Sequence, residues 1–339
     1  MSKRISTFFQ PLPSKKPKPD GAIPAAPATY THHPSYPISI RDPPSTISTR
    51  LCNPPPCTPK AITNHPHLDL LYFQPFLSAS LARELFHFLR AELPFYRVKY
   101  TINRGGTPTA INTPRFTTVF GVDETSTFLP DPTIEKDSQR SAKALILVDS
   151  ETHAPLSDDK KYHPHRPRPI PPCLDVLRQA VEAATDDGTK YNFVLVNYYA
   201  SGEDSISYHS DDERFLGPRP TIASISLGGR RDFLLKHKPD AAGGVGNGAG
   251  KPLKFPLDSG DMLVMRGDTQ ANWLHSVPKR KGTQAGAAGA IGRINITFRR
   301  AVVPGGTQNY YRYNVGDGMV YRWREEEGKM VAAEETSTD

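Results

Sequence analysis

The chain has 339 residues, a net charge of +7, 37% hydrophobic content and 34 prolines. Its length allows a sizeable core, the proline load sets part of it outside that core, and the basic balance favours an anionic partner such as nucleic acid. Three cysteines, Cys52, Cys57 and Cys173, are odd in number and lack tight metal spacing; no apolar run reaches membrane-span length, and no signal-peptide core opens the chain. A disulfide framework, a transmembrane helix and a secretory route are therefore not expected, and a nuclear or cytosolic protein is.

Taken in chain order, residues 1–66 read as a disordered, basic, proline-rich tail without helical or strand periodicity ("PLPSKKPKP", "CNPPPCTP"). A folded domain is expected over 67–302. It opens with a helix capped by Ser78 or Ser80, whose Leu81, Leu85, Phe88 and Leu89 form one apolar stripe. Residues 121–162 are polar and turn-rich, a surface insertion. "PPCLDVLRQAVEAATDDG" predicts a second amphipathic helix, with proline at its start and Gly188 past its end. The period then changes to strands: "NFVLVNYY", "ISYHSD", "TIASISLG", "RDFLLKH", "LKFPL", "DMLVMRG" and "RINITFRR". This order predicts an α+β protein, a β-sandwich or barrel with helices on one side. Residues 303–339 read as an extension ending in a frayed acidic tail.

Within "ISYHSD", His209 and Asp211 are two apart and would share one strand face, able to bind one cation together. His275 in "NWLHSVPK" can complete a set of two histidines and one carboxylate. With Fe(II) that set leaves coordination positions open for substrate and O₂; with zinc it would suit hydrolysis. "RINITFR" bears on the choice. Arg293, Asn295, Thr297 and Arg299 share one face of a strand whose other face, Ile294, Ile296 and Phe298, is core. Inward arginines need carboxylate partners, and a dicarboxylate co-substrate supplies them. Asn197 and Tyr199 also share a face and can add hydrogen bonds.

The series N-x-Y, H-x-D, a distal His and R-x-N-x-T-x-R, in this order, resembles the AlkB family of 2-oxoglutarate- and Fe(II)-dependent dioxygenases. "HSDDERFLGPRPTIASISLGGRRDFLLKHK" is similar to its nuclear DNA-repair branch. The resemblance covers roughly residues 68–301. It implies a double-stranded β-helix (jelly-roll) core and removal of alkyl groups from nucleobases by O₂, with formaldehyde, succinate and CO₂ released. It implies Fe(II) on His209, Asp211 and His275. It implies 2-oxoglutarate on Asn197, Tyr199, Arg293, Asn295, Thr297 and Arg299, with Arg293 on the distal carboxylate.

The resemblance also implies that Asp212 and Glu213 contact the substrate base, and a carboxylate there would favour cationic 1-methyladenine and 3-methylcytosine. Such a base has to be flipped out of a duplex. Tyr162 is the candidate aromatic wall, and "RDFLLKHK" and "PKRKG" the candidate phosphate contacts. Where the branch carries a short apolar finger, this hairpin has a polar tip, Asn103 to Gly106; Arg104 is the candidate substitute. At the amino terminus, "SKRISTFFQP" resembles a sliding-clamp binding box: Ile5, Phe8 and Phe9 have its spacing, with Ser2 in place of the usual glutamine. "PSKKPKP" reads as a nuclear localisation signal or a basic linker. The rival readings are the same chemistry on RNA or single strands, and a non-catalytic nucleic-acid- or clamp-binding protein.

Overall fold

A computed structural model describes residues 40–53, 57–104, 106–133, 145–156, 162, 165–239, 251–280, 292–316 and 320–333. Ile5, Phe8, Phe9 and the side chain of Arg104 lie outside the described residues. The first elements are α1 (Ser45–Cys52), β1 (Lys60–Ile62), β2 (Asp69–Phe73), α2 (Ala79–Glu92), β3 (Phe95–Tyr96), β4 (Lys99–Arg104), β5 (Thr107–Asn112) and β6 (Phe116–Gly121). Next come β7 (Ser126–Pro130), β8 (Leu145–Asp149), α3 (Pro172–Thr185), β9 (Phe193–Tyr199), β10 (Ile206–His209), β11 (Ile222–Gly228) and β12 (Arg231–His237). The chain continues through β13 (Leu253–Leu257), β14 (Met262–Arg266), α4 (Thr269–Asn272), β15 (Trp273–Val277), β16 (Arg293–Arg299), α5 (Gln308–Asn314), β17 (Val320–Arg324) and β18 (Lys329–Ala332).

A major sheet runs β1-β2-β14-β11-β16-β9-β6-β3-β17-β18 and a minor one β10-β15-β12-β13; β4-β5 and β7-β8 are separate hairpins. Strand alternation divides the core in two. Val194, Val196 and Tyr198 of β9, with Ile294, Ile296 and Phe298 of β16, pack with Leu85, Phe86 and Leu89 of α2 and Leu174, Leu177 and Val181 of α3. Phe193, Leu195 and Tyr199, from the other face of β9, join Phe233, Leu235, Trp273 and Val277 of the minor sheet. Helices thus cover one face, and the second sheet closes over the other, giving the jelly-roll whose interior holds the polar residues described below.

Ser78 caps α2, its side chain accepting from the Leu81 N–H at 3.4 Å. The buried stripe of α2 takes in Phe86, while Phe88 is half-buried. Pro172 lies in the first turn of α3, as expected, and Asp186, in the left-handed region at φ 44°, ends it.

Two boundaries expected from the sequence are corrected. The stretch read as tail through residue 66 contains α1, whose Ile47 and Leu51, one helical turn apart, are 4% and 0% exposed in the helix-side core. Flanking prolines hide this short stripe; Arg50 reaches Glu84 of α2 at 2.9 Å. The extension past residue 302 adds β17 and β18 to the major sheet, with Val320 opposite Tyr96, and β18 falls within the end read as frayed. It is locked there by Arg90, whose guanidinium lies 3.6 Å from the Trp323 ring centre and 5.0 Å from that of Phe86. The insertion at 121–162 contributes the β7–β8 hairpin.

If α1 belongs to the core, Leu51→Ala should lower the unfolding free energy in a urea melt by about 2–5 kcal/mol. An unchanged melt would return α1 to the tail.

Candidate active site

Strands β10 and β15 pair antiparallel with His209 opposite His275, and their ring centres are 4.1 Å apart. Asp211 lies past the end of β10, so strand alternation does not place its carboxylate. Two hydrogen bonds do. The Asp211 N–H donates to Gln270 Oε1 at 2.9 Å, and Arg299 Nη2 donates to Asp211 Oδ2 at 2.9 Å. Asp211 then has Oδ1 3.8 Å from His209 Nε2 and Oδ2 3.9 Å from His275 Nε2. One ligand atom from each of the three residues falls within 4.8 Å of the others.

The histidines are prepared as ligands. His209 Nδ1 is 2.8 Å from the Ser207 carbonyl, which can only accept, so Nδ1 carries the proton and Nε2 keeps its lone pair. His275 stacks on Phe233, with ring centres 5.3 Å apart at 24°. Burial, and then His209 beside it, push His275 down to about 3; burial lowers His209 as well. Burial opposes ionisation of Asp211, but Arg299, His275 and His209 outweigh it and hold the carboxyl below the usual range. At neutral pH the site therefore offers two neutral imidazoles and a carboxylate, the donor set of an Fe(II) centre with open positions.

Across β9 and β16, Tyr199 faces Arg293, Asn197 faces Asn295, Leu195 faces Thr297 and Phe193 faces Arg299. The expected shared face is thus formed, but its members differ in what they leave free. Asn295 Nδ2 donates to Ser224 Oγ at 2.9 Å and the Ile225 carbonyl at 3.0 Å, and Thr297 Oγ1 donates to the Leu195 carbonyl at 3.0 Å. These two tie strands together. Arg293 is 2% exposed, and its Nη2 donates to Ser226 Oγ at 2.8 Å, yet Nε and Nη1 have no partner among the described residues. Burial pushes Arg293 down to about 10, still charged at neutral pH. Arg299, 3% exposed, likewise leaves Nε and Nη1 without a described partner. Buried guanidinium donors without acceptors are costly, and a small dicarboxylate matches the deficit.

Four residues join the site that the sequence reading missed. Arg115 Nε donates to Asn197 Oδ1 at 2.6 Å. Gln270 anchors the Asp211 backbone, and Phe233 backs His275. Tyr310 of α5 donates to Glu213 Oε1 at 2.8 Å, with its ring centre 5.0 Å from the Arg299 guanidinium carbon. Only Phe233 had a signal, sharing a strand face with Arg231 and Leu235.

Other expected positions are corrected. Tyr162 is 2% exposed, and its hydroxyl bonds to Asp123 Oδ2 and Ser126 Oγ, both at 2.8 Å, so it braces the insertion and presents no face to a base. Arg231, 3% exposed, donates to the carbonyls of Ser201, Asp204 and Pro278; it is a staple rather than a phosphate contact. The two acidic neighbours of Asp211 part company. Asp212 is 54% exposed and pairs with Lys238 at 2.8 Å. Glu213 turns inward, and burial, then Asp211, push its carboxyl up to about 7.

Asp211→Ala should abolish tight Fe(II) or Co(II) binding in an anaerobic titration. It should also destabilise the metal-free protein by up to about 3–5 kcal/mol, because it strips Arg299 of a buried carboxylate. Metal binding at wild-type strength would contradict the assignment.

Residues 69–299 match the family model described as 2OG-Fe(II) oxygenase superfamily. The chain is 39% identical over 137 residues to human "DNA oxidative demethylase ALKBH2", which covers 40% of this chain and 49% of the relative. It is 40% identical over 144 residues to the protein of that name from Arabidopsis thaliana, covering 38% and 43%. It is 39% identical over 128 residues to human "Alpha-ketoglutarate-dependent dioxygenase alkB homolog 3", covering 38% and 42%. The chain thus spans a little under half the length of these curated relatives. Among solved structures, "The structure of OsALKBH1" aligns over 70% of this chain and 100% of that one, with TM-score 0.38 and 17% identity. With a family match over most of its length, and the metal triad and buried arginines inside that match, the chain belongs to the 2OG-Fe(II) oxygenase superfamily, and within it to the AlkB family.

Proposed function

We infer that this chain removes N-alkyl groups from DNA bases, 1-methyladenine and 3-methylcytosine foremost, as a direct-reversal repair enzyme. The observation that carries the reading is the union of a three-ligand metal triad with two buried arginines whose free donors call for a dianion. His209, Asp211 and His275 hold Fe(II). Arg293 takes the distal carboxylate of 2-oxoglutarate, and Arg299, Asn197 and Tyr199 line the rest of its site. When bound, iron and 2-oxoglutarate supply O₂ activation and oxidation of an N-methyl carbon, whose hydroxymethyl product leaves as formaldehyde.

The protein's own part is binding and orientation. Arg299 fixes Asp211 while facing the co-substrate, and Arg115 fixes the side-chain amide of Asn197. Glu213 is the group that meets the base. A cleft of about 470 Å³ lined by Arg230, Lys254, Lys279 and Arg280, and by Asp232 paired to Lys254 at 2.9 Å, offers a net cationic surface to a phosphate backbone. A nuclear location and docking on the sliding clamp through Ile5, Phe8 and Phe9 belong to the same proposal and rest on the amino-terminal sequence alone.

The test is mass spectrometry of methylated single- and double-stranded DNA and RNA oligonucleotides incubated with protein, Fe(II) and 2-oxoglutarate. Loss of the methyl mass from DNA, matched by succinate, is expected; turnover confined to RNA, or none, would overturn the reading.

The different surroundings of the two acidic residues add a sharper expectation. Glu213→Gln should slow single-turnover repair of 1-methyladenine by about tenfold or more and slow a neutral lesion less. Asp212→Asn, on an exposed pair, should cost no more than about fivefold. Equal losses for the two variants would mean that Glu213 does not read the base.

A further inference from the structure

We propose that Tyr310, carried by α5 beyond the end of the family match, is a positioning residue of the base pocket. It would fix Glu213 so that one carboxyl oxygen stays free for an N–H donor on the base. The proposal rests on the reading above, in which Glu213 meets the base.

Three observations carry it. First, Tyr310 donates its hydroxyl to Glu213 Oε1 at 2.8 Å, while Glu213 Oε2 is buried without a hydrogen-bond partner among the described residues. A buried acceptor left open in this way calls for a donor from outside the chain. Second, the ring is clamped in place. Its centre is 5.3 Å from that of Phe215 and 5.6 Å from that of Phe193, the second at 85°, and the Arg299 guanidinium lies over it at 5.0 Å. One side chain thereby touches both Glu213 and the arginine that holds Asp211. Third, α5 is anchored independently of the site. Tyr311 Oη donates to the Gly121 carbonyl at 2.7 Å and accepts from the Arg168 N–H at 2.9 Å, and Thr117 Oγ1 donates to the Asn314 carbonyl at 2.7 Å. The approach leading into α5 is close: a Cβ on Gly306 would lie 2.2 Å from Phe215 Cβ. A helix built this tightly onto the body sets the position of the Tyr310 hydroxyl instead of following it.

The test uses full-length protein with Fe(II) and 2-oxoglutarate, and the Tyr310→Phe variant, which keeps the ring between Phe193, Phe215 and Arg299. The KM for a 1-methyladenine oligonucleotide should rise, or kcat/KM fall, by roughly tenfold, as for loss of one hydrogen bond to a carboxylate. The 2-oxoglutarate KM should hold. In a Glu213→Gln background the same change should add little, because the two residues act as a unit. Tyr311→Phe, which removes an anchor outside the pocket, should lower the melting temperature without that split in KM.

Wild-type oligonucleotide kinetics in Tyr310→Phe, fully additive losses in the double variant, or a shift confined to 2-oxoglutarate would each overturn the proposal while leaving the demethylase reading intact. Wild-type protein inert on every methylated oligonucleotide would sink both.

Discussion

The structure turns on one buried ion pair, Arg299 to Asp211, at 2.9 Å between side chains 3% and 4% exposed. It joins the end of a central strand to a loop that no ladder reaches, and so converts sheet geometry into site geometry. Desolvation makes such a pair poor as a source of stability, yet removal of either partner leaves a buried charge behind. The pair holds Asp211 ionised beside two imidazoles kept neutral, the combination that a divalent cation requires.

Charge balance extends the argument. Around Asp211 stand the guanidinium groups of Arg299 and Arg115, with Arg293 further along β16, while Glu213 is raised toward its neutral form. A metal dication would add to that positive excess. An interior so loaded favours an anion beside the metal, and the unpartnered Nε and Nη1 atoms of Arg293 and Arg299 are the donors that would receive it. The metal site and the anion site are in this sense complementary in charge. Elsewhere, basic residues serve packing: Arg231 and Arg168 are staples on backbone carbonyls, and Arg90 lies between aromatic rings. A net charge of +7 therefore overstates the surface available to phosphate.

What the sequence disclosed followed from strict alternation. β16 alternates polar and apolar residues, and its register with β9 puts Tyr199, Asn197, Arg293 and Arg299 on the face that the side-chain types had implied. The triad was legible from residue type and order, although the reason first given for His209 and Asp211 holds only in part, since β10 stops at His209. What stayed hidden comes from segments without a period. Arg115 precedes its strand, Gln270 sits in a four-residue helix, and Tyr310 lies in the extension expected past the domain's end at 302; α1 is masked by its prolines. Asn295 marks the converse limit. It has the right face and type, but a neighbouring strand takes its hydrogen bonds.

The most direct measurement is calorimetric titration of 2-oxoglutarate into anaerobic, metal-loaded protein, comparing wild type with Arg293→Ala. Removing a buried arginine that pairs with the distal carboxylate should cost about 2–5 kcal/mol, roughly tens to thousands of times in affinity, with metal affinity unchanged. Unaltered 2-oxoglutarate affinity in the variant would contradict the account, because the open donors on β16 would then serve something other than the co-substrate.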